Sequence, residues 1–135
     1  MAKLPQVRDY MDTEVPTLNP EMEILDAVNF LLDTHVTGAP VVNGEGTLIG
    51  ILTEKDCLRL LATGSNNEFP SGTVADFMTA RVETIRPHMN VYFVAGLFLG
   101  QNFRRFPVVD EAGRVVGAIT RFDILRAIKH HLGKP

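Results

Sequence analysis

The sequence predicts an α/β (α+β) fold assembled from two tandem copies of one small unit of order β-α-β-β-α. Two observations predict it: a long run of residues recurring in one register, and the same succession of strand-like and helix-like patterns inside each copy. Pro40-Val41-Val42 returns as Pro107-Val108-Val109, a shift of 67 residues (107 minus 40). The same shift carries Val7 onto Val74, Asp9 onto Asp76, Met11 onto Met78, Thr17 onto Thr84 and Pro20 onto Pro87. Further on it carries Gly46 onto Gly113, Gly50 onto Gly117, Thr53 onto Thr120, Asp56 onto Asp123 and Arg59 onto Arg126. Composition alone does not produce that many matches in one register.

Each copy opens on a short lead-in that reads as a helical turn, Val7 to Met11 and Val74 to Met78. Val15 to Leu18 and Val82 to Ile85 follow as short β-prone segments. Ile24, Val28, Leu31 and Leu32 then recur at i, i+4, i+7 and i+8, the apolar stripe of a helix, and Val91, Ala95, Phe98 and Leu99 repeat that spacing. Ala39 to Val42 and Phe106 to Val109 read as strands. Gly44-Glu45-Gly46 and Glu111-Ala112-Gly113 supply tight turns into the next strands, Thr47 to Leu52 and Val115 to Ile119. Closing helices start near Glu54 and Arg121. Thr63-Gly64-Ser65-Asn66-Asn67 and Pro70-Ser71-Gly72 form a breaker-rich linker. The chain therefore divides into residues 1–66, one repeat with its lead-in, and 67–135, a second repeat with a C-terminal helix. Units this small bury little surface alone, so a shared core is expected.

Composition narrows the function classes. Of 135 residues, 45% are hydrophobic and 21% charged, values for a globular rather than a disordered chain. The net charge of −3 argues against sequence-independent nucleic-acid binding, which needs a concentrated basic surface. Cys57 is the single cysteine, so no internal disulfide forms, which suits a reducing cytoplasm. The N-terminus has no secretory pattern, and the apolar run Val91 to Gly100 is about half the roughly 20 residues that span a membrane. No P-loop, nucleophile elbow or zinc-protease pattern is present, and the histidines (His35, His88 and the adjacent His130 and His131) lack metal-ligand spacing. No enzyme activity and no metal site are expected.

One motif recurs at the end of each copy: Gly50-Ile51-Leu52-Thr53-Glu54-Lys55-Asp56 and Gly117-Ala118-Ile119-Thr120-Arg121-Phe122-Asp123. Thr53 and Thr120 fall at strand-to-helix junctions, where unpaired N–H groups and the helix dipole attract phosphate. Asp56 and Asp123 lie one turn further in, where a carboxylate can accept hydrogen bonds from two ribose hydroxyls. The same spacing also describes a helix capping box, in which the threonine caps the third N–H and the acid reaches back. Both roles stay open, and one threonine can serve both. Lys55 lies inside the first motif and Arg121 inside the second. Arg104 and Arg105 precede the second Pro-Val-Val strand where copy one has Thr37 and Gly38. Cations beside a helix N-terminus neutralise phosphate, arginine bidentately; the alternative is solvated surface charge.

The element order, the repetition and the Gly-aliphatic-aliphatic-Thr-x-x-Asp segments together resemble a tandem pair of CBS domains, or Bateman module, over nearly the whole chain. That resemblance implies two repeats packed pseudo-symmetrically into one disc-like module with two clefts. It implies a regulatory module that binds an adenosine-containing ligand (AMP, ADP, ATP or S-adenosylmethionine) and passes occupancy to a separate partner protein. It also implies a homodimer, for which the unusually apolar helix of copy two is a candidate interface; burial inside the monomer is the other explanation. In the family the aspartate of the motif holds ribose and the threonine lies by ribose or phosphate. Thr17, Leu18, Thr84 and Ile85 then line the clefts, with Ala39, Pro40, Phe106 and Pro107 as walls, although ordinary core packing explains these positions as well. The arginines of copy two predict a preference there for the more phosphorylated ligand. A structural or oligomerisation module with empty clefts is the alternative.

Overall fold

The computed structural model describes residues 4–63, 71–100 and 104–133. Most of the expected linker, Gly64 to Asn67 and Pro70, lies outside them. The chain forms two compact units, Pro16–Val82 and Met1–Val15 with Glu83–Pro135.

In the first of these, α1 (Ile24–Thr34) leads to the strands β1 (Gly38–Val42) and β2 (Leu48–Thr53), followed by α2 (Glu54–Thr63) and the single turn α3 (Val74–Phe77). In the second unit, α4 (Val91–Gly100), β3 (Arg105–Val109), β4 (Val115–Thr120) and α5 (Arg121–Leu132) repeat the pattern, preceded by a 3-10 turn over Val7–Asp9. β1 pairs antiparallel with β2 and β3 with β4, each hairpin carrying a register shift after its fourth pair. The hairpin turns work as their sequences suggest. Asn43 Oδ1 accepts the N–H groups of Glu45 and Thr47, and Asp110 Oδ1 those of Ala112 and Arg114. Gly46 and Gly113 supply the left-handed residue at φ +83° and +81°.

The expected first strands are a correction. Val15 to Leu18 and Val82 to Ile85 form no strand of their own; Leu18 makes one parallel bridge to Val41, and Ile85 one to Val108. Proline explains the truncation. Leu18 N–H donates to the Pro40 carbonyl and Val42 N–H to that of Leu18. The next rung in one direction needs an N–H from Pro20, and in the other from Pro40; neither has one. Pro87 and Pro107 stop the Ile85 ladder in the same way.

The helical stripes are also shifted. Ile24, Ala27 and Leu31 are buried on α1, and Val91, Val94 and Phe98 on α4, whereas Leu32 and Leu99 are exposed. The core of one unit gathers Leu18, Ala39, Val41 and Leu52 with α1; the other gathers Ile85, Phe106, Val108 and Ile119 with α4, Ile124 and Ala127.

The compact units are not cut at 66/67, because the lead-ins are exchanged. Val7, from the start of copy one, is fully buried with the core of copy two, and Val74, from the start of copy two, with that of copy one. Val7 N–H donates to Met89 C=O, and Val74 N–H to Met22 C=O. Asp12 and Ala118 exchange a pair of 2.9 Å backbone hydrogen bonds, as do Thr79 and Ile51. The motif glycines make room for these crossings. A Cβ on Gly50 would lie 2.6 Å from Met78 Sδ and 3.0 Å from the Thr79 carbonyl oxygen. On Gly117 it would lie 2.7 Å from Met11 Sδ and 2.9 Å from the Asp12 carbonyl oxygen.

Candidate functional site

Both Thr-x-x-Asp motifs form capping boxes. Thr120 is the N-cap of α5: Asp123 N–H donates to its Oγ1 at 3.2 Å, and its own N–H donates to Asp123 Oδ2 at 2.9 Å. Thr53 and Asp56 make the same two bonds at the start of α2, at 3.3 and 2.9 Å. Each aspartate is then held by an arginine one turn along the helix: Arg59 Nη1 lies 3.2 Å from Asp56 Oδ1, and Arg126 Nη2 2.8 Å from Asp123 Oδ1. Thr73 and Asp76 build another such box ahead of α3.

The two aspartates differ in what surrounds them. Asp56 also accepts the Thr79 hydroxyl at 3.1 Å, and its side chain is only 4% exposed. Asp123 is 15% exposed, and Asp12 stands where copy one's box has Thr79. Arg126 reaches the lead-in instead: Nη2 donates to the Tyr10 carbonyl at 3.3 Å, and the guanidinium lies over the Tyr10 ring. The Tyr10 hydroxyl is hydrogen-bonded to His130 Nδ1 at 2.6 Å. Thr79→Val is expected to cost about 1 kcal/mol in urea unfolding, the worth of one such hydrogen bond. That loss should vanish in an Asp56→Ala background, which a double-mutant cycle reads directly.

The remaining predicted residues fall into two groups. Leu18, Ala39, Ile85 and Phe106, expected as cleft lining and walls, are each packed in their own unit's core. Pro40 and Pro107 are buried beside them, while Thr17 is exposed and Thr84 half-buried. Lys55, Arg104 and Arg121 are exposed, Lys55 and Arg121 in the first turns of α2 and α5. Arg105 is the one predicted cation turned inward. It pairs across the hairpin with Thr120, as Gly38 does with Thr53.

Sequence reasoning missed Thr79, Asp12 and Tyr10, which reach their partners through the exchanged lead-ins. Arg59 and Arg126 carried a usable signal, since residues three apart on a helix are neighbours. A cavity of about 460 Å³ between α1 and α2, lined by Ile24, Val28, Leu31, Cys57 and Leu58 among others, contains none of the predicted site residues. Burial pushes the Cys57 thiol above its ordinary pKa, and the charge of Asp56 adds to it. The described residues contain no cluster of three metal-ligating side chains.

The model of the CBS domain family matches residues 7–63 and again residues 74–130. The chain belongs to the CBS domain family. Protein MJ1225 of Methanocaldococcus jannaschii is 37% identical to this CBS pair over 123 residues, 90% of the chain and 42% of the relative. The pair thus spans less than half of that protein. Among solved structures, CBSX2 of Arabidopsis thaliana in complex with AMP is 30% identical with a TM-score of 0.82, covering 96% of this chain and 98% of that one. The CBS pair of protein MJ0100, in complex with 5′-methylthioadenosine and S-adenosylmethionine, is 29% identical with a TM-score of 0.80, covering 96% and 99%. The CBS pair therefore shares its fold along nearly its whole length with structures that hold adenosyl ligands.

Proposed function

We propose that this CBS pair is a sensor that binds an adenosine-containing ligand, AMP, ADP, ATP or S-adenosylmethionine, and transmits occupancy to a separate protein. The observation that carries the reading is the near end-to-end likeness to CBSX2 in complex with AMP. The Thr-x-x-Asp motif at the head of both α2 and α5 supports it, since each combines a helix N-terminus with a carboxylate. Of the two copies, the second is the better provided: Asp123 is the more exposed carboxylate, and Arg105 and Thr120 are neighbours across the hairpin. Regulation of a partner would follow from different ligand affinities of two states of the sensor. The reading includes a homodimer, for which exposed Phe93, Leu99, Phe122 and Leu125 offer apolar surface. It also includes a cytoplasmic location and no catalytic step; no described helix is long and apolar enough to cross a membrane.

A structural module without nucleotide is the competing reading. It is favoured by the box at Thr73 and Asp76, which makes the same backbone bond outside either motif, so those bonds alone demand no ligand. Thermal denaturation separates the two. A ligand present at 100 times its dissociation constant stabilises the native state by about 2.7 kcal/mol, a rise of several degrees. We expect such a rise with at least one of AMP, ADP, ATP, S-adenosylmethionine or 5′-methylthioadenosine. No rise with any of them would favour the structural module.

A further inference from the structure

Arg105 has the least settled polar environment of the described side chains. The hairpin sets it beside Thr120, and the backbone bridge between Asp12 and Ala118 brings the lead-in to the same end of β4. Arg105 Nη2 there lies 3.7 Å from Asp12 Oδ2. That separation is within ion-pair range but beyond a hydrogen bond. The Nε of the same guanidinium is buried and has no hydrogen-bond partner among the described residues. The positive charge therefore has a counter-ion, while the Nε–H is left without an acceptor among the described residues. A guanidinium fork is matched best by an oxyanion that accepts two of its N–H groups at once.

Asp12 is held by its own turn rather than by the arginine. Its Oδ1 accepts the Glu14 N–H at 2.9 Å, and its side chain is 53% exposed, against 26% for Arg105. Copy one has no equivalent pair. Gly38 replaces the arginine, Thr79 replaces the aspartate, and the Thr79 hydroxyl is spent on Asp56.

We propose that Asp12 is a specificity-determining residue, a built-in counter-ion that a ligand phosphate must displace from Arg105. This rests on the nucleotide reading above and adds the charge that competes at that site. A phosphorylated adenosine compound gains the guanidinium fork but loses the Asp12 pairing and meets its carboxylate. An uncharged nucleoside does neither. Asp12 thereby lowers the discrimination in favour of phosphorylated ligands that Arg105 would otherwise impose.

Calorimetric titration of the full chain with AMP and with adenosine, at one fixed salt concentration, tests this. Asp12→Asn removes the charge and keeps an oxygen for the Glu14 N–H. The preference for AMP over adenosine is expected to rise about tenfold in this variant, on the scale of a close charge pair. Asp12→Thr, the residue of copy one, should do the same and stands in if the asparagine variant folds poorly. Arg105→Gln should abolish the preference, and in that background Asp12→Asn should raise it by clearly less than in the original chain, because only the repulsion between the carboxylate and the phosphate is left to remove. An AMP preference that Asp12→Asn and Asp12→Thr leave within twofold of the original overturns the proposal while the nucleotide reading stands. Equal gains for AMP and adenosine overturn it too. If neither compound binds the original chain or its variants, the proposal falls, and the nucleotide reading falls with it only if the thermal screen shows no rise with any of the other ligands.

Discussion

Phe106→Ala is expected to destabilise its unit by about 3–5 kcal/mol in equilibrium urea unfolding. The ring is 1% exposed and lies 4.6 Å, centroid to centroid, from that of Phe98. Truncation removes the transfer energy of the ring and leaves Phe98 facing a cavity. The repeat supplies an internal comparison, since copy one has Ala39 and Leu31 at the matching positions and builds its core without an aromatic pair. The loss should therefore concentrate in the unit containing α4. If the two units unfold in separate transitions, followed by circular dichroism, only that unit's transition should move. Leu99→Ala on the same helix, where the side chain is 91% exposed, should change stability by less than about 0.5 kcal/mol. A loss below 1 kcal/mol for Phe106→Ala would contradict the packing described for α4 and β3.

The second large effect belongs to Gly117. Gly117→Ala places a methyl 2.7 Å from Met11 Sδ and 2.9 Å from the Asp12 carbonyl oxygen. The thioether can swing aside, but the carbonyl is fixed by the two hydrogen bonds between Asp12 and Ala118. Overpacking of this kind costs about 1–3 kcal/mol, and any shift of the lead-in weakens those bonds as well. Gly96→Ala, the same chemical change in the exposed face of α4, meets nothing within 4 Å. It should stabilise by up to about 1 kcal/mol, because glycine is a poor helix former. Denaturation midpoints moving in opposite directions would support this reading of the glycines. A Gly117→Ala protein as stable as the original would overturn it.

The duplicated architecture was legible because backbone demands leave residue-level traces that repeat. Gly46 and Gly113 mark the left-handed turn position, and Pro40 and Pro107 mark matching points in the hairpins. The same prolines, with Pro20 and Pro87, cut the expected first strands to single bridges. A β-prone run such as Val82 to Ile85 shows propensity, while the number of rungs it forms depends on N–H groups in its neighbours. The shifted helix stripes have a similar origin: Leu32 and Leu99 are apolar, but the sheet meets the faces bearing Ala27 and Val94. At the candidate site, Thr53, Asp56, Thr120 and Asp123 were readable from spacing, and Arg105 only as one of four cations near the motifs. Their partners Thr79, Asp12 and Tyr10 were not. Nothing local in a lead-in states which hairpin it will join; Gly50 and Gly117 hinted only that some chain passes close by.

The exchange of lead-ins also bears on how the molecule is made. Pro16–Val82 is one continuous stretch, interposed between the two parts of the other unit. It can complete its core as soon as α3 has left the ribosome. The other unit must wait, because Val7 is covered by residues around Met89 and Asp12 pairs with Ala118, more than a hundred positions away. Such distant closures slow folding relative to local ones. The N-terminal segment thus passes through synthesis as an uncovered apolar turn, protected only when β4 emerges, so a chain stalled between the repeats exposes Val7 to chaperones and proteases.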